Sequence, residues 1–502
     1  MLDESSAVAQ AFRMARDWSA NNASSECGLR LLAKATTSRQ YNSPTIAEVA
    51  ALITSEFGHC NSTRDIVVQK KGTPQRISEL HQLYMALQYP LLFPYGETGY
   101  HEEIPYHNSS GRQQINRDHV TMREFYCYRI QQSESEATTI LRGGRLFQQY
   151  LVDAYTAVEE QRLKWLRHHQ NELCIDLYNN VCDAVARGDT SAASIGKRII
   201  LPSSHTGSPR YMVQNYQDAM ALCREYDNPD LFITFTSNPR WLEIDAMLCY
   251  IEGQRSTDHS EIVARVFKQK LDGLMADIMK NQIFGTTQAF TAGLQSTHIV
   301  SLTYRVPSDI DDLISAEIPS QINDPEGFRA KQQLTKKGML TTSAETTGSN
   351  LKKNNTPLDN SFVVPYNRYL LLKYNAHINV EWCNRSRAIK YLFKYLNKGP
   401  DRATIFIQEN MVPSGDDARG EDIFEVDEIR NYLDCRYLSP CEAVWRLFLY
   451  DIHYSKPSVI KLSFHLPNQQ SITLRDSQKL PALLKRESIK EIMFTQWFEL
   501  NK

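Results

Sequence analysis

Apolar residues recur at intervals of three and four through LRGGRLFQQYLVDAYTAVEEQRLKWLRHHQNELCIDLYNNVCDAVARG, which predicts a long helical scaffold beginning at the Gly143–Gly144 pair. His168 and His169 fall on it and read as surface residues. Before it, IAEVAALI to LQYPLLFPYG is globular in pattern, with Pro90, Pro94 and Gly96 breaking an aromatic run into turns. The pattern changes at Leu231–Thr236, where β-branched, aromatic and hydroxyl residues predict a strand stopped by the Asn238–Pro239 turn. A helix over EIVARVFKQKLDGLMADIMKNQ follows, and THIVSLTYRV has the composition of a second strand. From Pro319 to Asn360 the chain becomes polar, as a linker does. Packed patterning resumes with VVPYNRYLLLKYNAHINVEWC.

These shifts predict an α+β protein in six consecutive segments. A loosely ordered tail (1–44) precedes a mainly helical region (45–215) and a region of strand motifs (216–319). A polar linker (320–360), a tyrosine-bearing segment (361–415) and a C-terminal region (416–502) complete the chain.

The segment Ala388–Gly399, AIKYLFKYLNKG, carries the most pointed chemistry. Asn384 is suited to N-cap a helix, Gly399 to end it, and Pro400 cannot continue it, so a helix is predicted from about Arg385 to Lys398. Ala388, Ile389, Leu392, Phe393 and Leu396 form an apolar face, and Arg387, Lys390, Lys394 and Lys398 a basic stripe. Tyr391 and Tyr395 lie one turn apart on the border. Such tyrosines can bury their rings and wet their hydroxyls, as packing residues do. Equally, two phenols beside cations can face a phosphate backbone, where a tyrosyl oxygen attacks a phosphodiester and conserves its energy as phosphotyrosine.

Composition narrows the field only modestly. The 502 residues are 42% hydrophobic and 23% charged with net charge -2, so any polyanion must be met by local basic patches and not by a global field. Ten cysteines without CxxC spacing disfavour a zinc finger or disulfide framework and fit an intracellular compartment. MLDESSAVAQAFRMARDWSA lacks the basic start and apolar core of a signal peptide, and no apolar run has membrane-spanning length. No GxxxxGK[ST] loop occurs, because SIGKR at Ser194 lacks the upstream glycine; no nucleoside triphosphate partner, ATPase or helicase activity is expected.

LQYPLLFPYGETGYH, TMREFYCYRIQ, the scaffold helix, DLFITFTSNPRWLEI, DLISAEIPS, VVPYNRYLLLKYNAHINVEWCNRSRAIKYLFKYLNKG and FHLPNQQSITLRD together resemble the replication-initiator half of plant Helitron transposon proteins, the helitron helicase-like domain. The resemblance runs through about residues 45 to 500 and implies a rolling-circle initiator of the HUH type: an antiparallel-sheet nuclease core with a large helical N-terminal scaffold. It implies single-stranded DNA as partner, nuclear localisation, Mg2+ or Mn2+ as cofactor, and Tyr391 and Tyr395 as catalytic nucleophiles. Lys390, Lys394, Lys398 and Arg387 would contact DNA.

One motif departs from the family. Its members read GLPHAHIL where this chain reads GLQSTHIV, so His298 matches the second metal histidine while Ser296 stands at the first. A serine hydroxyl is a poor ligand beside neutral imidazole, and weakened metal binding is expected. A lone strand histidine can also be purely structural. The cysteine-bearing stretch before VVPYN is replaced by the polar segment, and the text stops where the family's helicase begins. The expectation is an initiator fragment with impaired nicking; a non-catalytic DNA-binding or interaction protein and an inert transposon relic are the alternatives.

Overall fold

The computed structural model describes residues 66–68, 75–106, 118–132, 139–170, 199–226, 229–250, 253–293, 298–303, 313–335, 351–353, 356–358, 363–383, 427–434, 438–460 and 493–501, with isolated positions in 5–17 and at 360 and 462. In chain order the described helices are α1 (Tyr84–Gln88), α2 (Met122–Arg129), α3 (Arg145–His168), α4 (Pro209–Tyr226), α5 (Leu242–Leu248), α6 (Ser260–Met279), α7 (Pro325–Thr335), α8 (Arg368–Tyr374), α9 (Glu428–Asp434), α10 (Pro440–Leu447) and α11 (Met493–Leu500). The strands are β1 (Ile66–Val68), β2 (Gln75–Ile77), β3 (Leu231–Phe235), β4 (Thr287–Gly293), β5 (His298–Thr303), β6 (Leu351–Lys353), β7 (Thr356–Leu358), β8 (Ile378–Trp382) and β9 (His453–Lys456). Helices and small antiparallel sheets make the fold α+β, as the sequence predicts. Among the described residues no helix is long and apolar enough to cross a membrane.

The chain divides into two compact units interleaved in sequence: residues 1–161, 239–266 and 438–450, and residues 162–238, 267–437 and 451–502. In the first, an aromatic core forms where α1, α2 and the start of α3 meet. Tyr150 lies edge-on to Tyr89 and Tyr126 at centroid distances of 5.7 and 6.2 Å and stacks with Phe147 at 6.4 Å. Phe147, Leu151 and Ala154 are fully buried, the three-and-four spacing of the sequence realised as packing. The Gly143–Gly144 start holds too: Gly144 has φ +54, and a Cβ on Gly143 would sit 2.7 Å from a Leu92 methyl.

The second unit is built on a five-stranded sheet of order β8-β3-β5-β4-β9, antiparallel at every described pairing. Leu231, Ile233 and Phe235 of β3 with Ile378 and Val380 of β8 bury one face almost completely. Phe267 of α6 stacks on Phe235 at 5.2 Å, and Tyr374 of α8 meets the same ring edge-on at 5.8 Å. Each such fully buried side chain contributes roughly 1.5–3 kcal/mol relative to exposure.

The polar segment read as a linker differs from expectation, because it contains α7. Lys331 on this helix lies with its ammonium 3.8 Å from the ring centre of Tyr366 and donates to the Val364 carbonyl at 3.3 Å. Burial lowers the Lys331 pKa to about 8. The helix packs through Ala330 and the buried stem of Lys331 against Tyr366 and its neighbours, and composition averaged over the polar remainder concealed that.

Candidate functional site

The site is defined by one register row across the sheet. Thr234 pairs with Asn379 on one side and His298 on the other; Gly293 pairs with His298 and, beyond it, His453. The row therefore reads Asn379, Thr234, His298, Gly293, His453, with position 298 at its centre in the middle strand. The strand bearing His298 pairs antiparallel with β3. By the two-residue pleat, Thr234, Asn379 and His453 stand opposite the face filled by Ile233 and Val380. This second face is the polar one.

Each polar residue is held locally. Asn379 donates from Nδ2 to Glu381 Oε1 at 2.5 Å, along the same strand and face, while its Oδ1 is buried with no hydrogen-bond partner among the described residues. His453 Nδ1 lies 2.8 Å from the Tyr211 hydroxyl, with the rings edge-on at 5.2 Å. Tyr211 is placed by the first turn of α4, where Ser208 accepts the Tyr211 backbone N–H at 3.1 Å. Further along, Leu222 of α4 is buried against Ala289 of β4, which lays this helix over β4.

Gly293 has no side chain, so none intervenes between positions 298 and 453, whose Cα atoms stand two strand spacings apart, roughly 10 Å. Sequence reading missed His453. Its only local signal was a strand-like context, and nothing in that context ties it to position 298.

On the other flank β8 leads directly into the tyrosine segment. Cys383 follows it, its N–H donating to the Asp230 carbonyl at 2.7 Å. Burial, with the Glu381 and Asp230 charges, pushes the Cys383 thiol up to about 12, so it is no thiolate nucleophile at neutral pH. His377, one residue before β8, is lowered by burial and by Lys331, and so holds its proton less readily than usual.

Tyr391, Tyr395, Arg387, Lys390, Lys394, Lys398 and Ser296 lie outside the described residues, and His298 is described by its strand position. Among the described residues no group of three His, Cys, Asp or Glu side chains could hold a metal ion.

Comparison with known proteins adds the lineage. No curated protein matches the chain. Residues 125–294 match the model of the Helitron helicase-like domain at N-terminus, a stretch running from α2 through β3 and α6 to the end of β4. Over residues 125–294, about a third of its length, the chain is thus similar to the Helitron helicase-like domain.

Proposed function

We propose that the chain is a Helitron-derived rolling-circle replication initiator that binds single-stranded DNA, with its phosphotyrosine chemistry impaired. One observation carries this reading: the strand holding position 298 and the strand running into the tyrosine segment are both hydrogen-bonded neighbours of β3. Asn379 lies in the His298 row and Trp382, where β8 ends, is three residues further along, about 10 Å.

In the proposed chemistry a tyrosyl oxygen of Tyr391 or Tyr395 attacks phosphorus. The phosphodiester bond to the leaving sugar oxygen breaks as the phosphotyrosine bond forms, and the leaving oxygen takes up a proton. Lys390 and Lys394 neutralise the phosphate oxygens. A divalent ion held there would polarise the scissile phosphate, and Ser296 in place of an imidazole would weaken its binding, which is the basis of the proposed impairment.

The test incubates the full chain with an end-labelled single-stranded oligonucleotide and Mg2+ or Mn2+, then seeks a covalent protein–DNA adduct on a denaturing gel. Binding with at most trace adduct is expected. Robust adduct formation overturns the impairment, and adduct surviving Tyr391→Phe combined with Tyr395→Phe overturns the choice of nucleophile.

A further inference from the structure

The end of α3 carries an exposed aromatic pair that the tyrosine chemistry does not use. Trp165 is 50% exposed, and the His169 ring lies parallel to it, 13° between planes and 4.2 Å between centres. Their geometry is fixed from below. His169 Nδ1 lies 2.8 Å from the Trp165 carbonyl, and Leu163 and Leu166 are buried with Ile199, Leu201 and Ile429. Just beyond, the buried Gln170 side chain bonds both the N–H and the C=O of Ile200, at 2.8 and 3.1 Å. The helix end is thus anchored while its indole faces water.

The last ten residues of this stretch are basic in sequence, and Glu159 and Glu160 just before them are buried. Residues 161–170 read QRLKWLRHHQ, without an acidic side chain. Arg162 is exposed three residues before Trp165, so that Arg162, Trp165 and His169 share one helix face, with exposed His168 at its margin. Arg167 is committed elsewhere, to Asp427 at 2.8 Å.

A flat, pre-ordered π surface beside an exposed guanidinium complements a nucleobase with its phosphate, which stacks without regard to sequence. We propose that the Arg162–Trp165–His169 face of α3 is a stacking platform for single-stranded DNA, separate from the tyrosine segment. Trp165 and His169 would carry a base and Arg162 the adjoining phosphate. This inference rests on the reading of the chain as a single-stranded DNA binder.

The test titrates the full chain with a fluorescent oligo(dT) 20-mer, comparing Trp165→Ala, Trp165→Phe and Arg162→Ala with the unaltered protein. Trp165→Ala is expected to weaken binding about tenfold with its melting temperature unchanged, because the ring is half exposed, and Trp165→Phe to retain most affinity. Arg162→Ala is expected to reduce the salt dependence by about one phosphate contact. Binding unchanged in Trp165→Ala but lost when Lys390, Lys394 and Lys398 become Ala overturns the platform and leaves the functional reading standing. No binding by the unaltered chain overturns both. Preference for a polyglutamate peptide over oligo(dT), lost in Trp165→Ala, makes the face a protein-docking surface and also overturns the proposal.

Discussion

The Tyr374 hydroxyl donates to Asp277 Oδ2 at 2.6 Å, joining α8 to the far end of α6 beneath the sheet. Lys373 and Asn281 donate to the other carboxylate oxygen at 2.7 and 2.8 Å. Burial alone would raise the Asp277 pKa, but these hydrogen bonds and the Lys373 charge outweigh it and hold the carboxyl below its usual range. A depressed carboxyl contributes stability above its unfolded pKa of about 3.9, lost as pH falls through the folded value. Asp277→Asn should lower stability at neutral pH by about 2 kcal/mol and remove that share of the acid dependence. Urea denaturation at pH 7 and below pH 4 checks both.

Gly273 faces the same tyrosine. A Cβ there would stand 3.2 Å from the Tyr374 hydroxyl oxygen, which Asp277 pins in place. Alanine is favoured over glycine inside a helix by about 1 kcal/mol, but here the neighbour cannot retreat without breaking the carboxylate bond. Gly273→Ala should therefore destabilise the chain, and recover its helical advantage when combined with Tyr374→Phe. A double-mutant cycle by thermal melting measures the difference.

In the first unit, Thr121 and Glu124 form a reciprocal capping box at α2, and Tyr106 donates to Glu124 at 2.6 Å. Burial opposes ionisation of Glu124, but the Tyr106 and Thr121 hydrogen bonds prevail and lower its pKa to about 2. Its contribution is present above about pH 4.5 and lost between there and about pH 2. Thr121→Ala should cost about 1 kcal/mol at pH 7. The cost should shrink towards pH 2, which denaturation in parallel buffers would reveal.

Restoring an imidazole at the family's first metal position tests the proposed cause of impairment. Ser296→His should raise Mn2+-dependent adduct formation at least tenfold over the unaltered chain, and Tyr391→Phe with Tyr395→Phe should abolish the gain. No gain despite tighter Mn2+ binding by calorimetry would show that the lost histidine is not what limits nicking.

Changing Lys390, Lys394 and Lys398 together to Ala should weaken oligo(dT) binding and flatten its salt dependence by about 2 in the log–log slope, at roughly 0.7 per phosphate on a single strand. Anisotropy titrations across a salt series give the slope directly. An unchanged slope would remove these lysines from the interface.

The local features were legible in the sequence because they depend on near neighbours. The spacing of Phe147, Leu151 and Ala154 marks the buried side of α3, the Gly143–Gly144 pair marks its start, and β-branched and aromatic residues mark β3 and β5. The family strings reached further, and the matched domain at 125–294 agrees with them. What escaped were elements made by their partners. TQAFTAG in β4 is rich in small residues with little strand preference and is a strand because β5 and β9 bond both of its sides. The helix Pro325–Thr335 lay hidden in polar text until Tyr366 gave Lys331 a surface to cover. Most of all, the row uniting Asn379, Thr234, His298, Gly293 and His453 is a matter of register between strands far apart in the chain. Backbone pairing and the burial of Ile233 and Val380 set that register, and a shift of one residue would send every side chain of a strand to the opposite face. Sequence named the chemistry at single positions, while tertiary pairing alone decided which of them share a face.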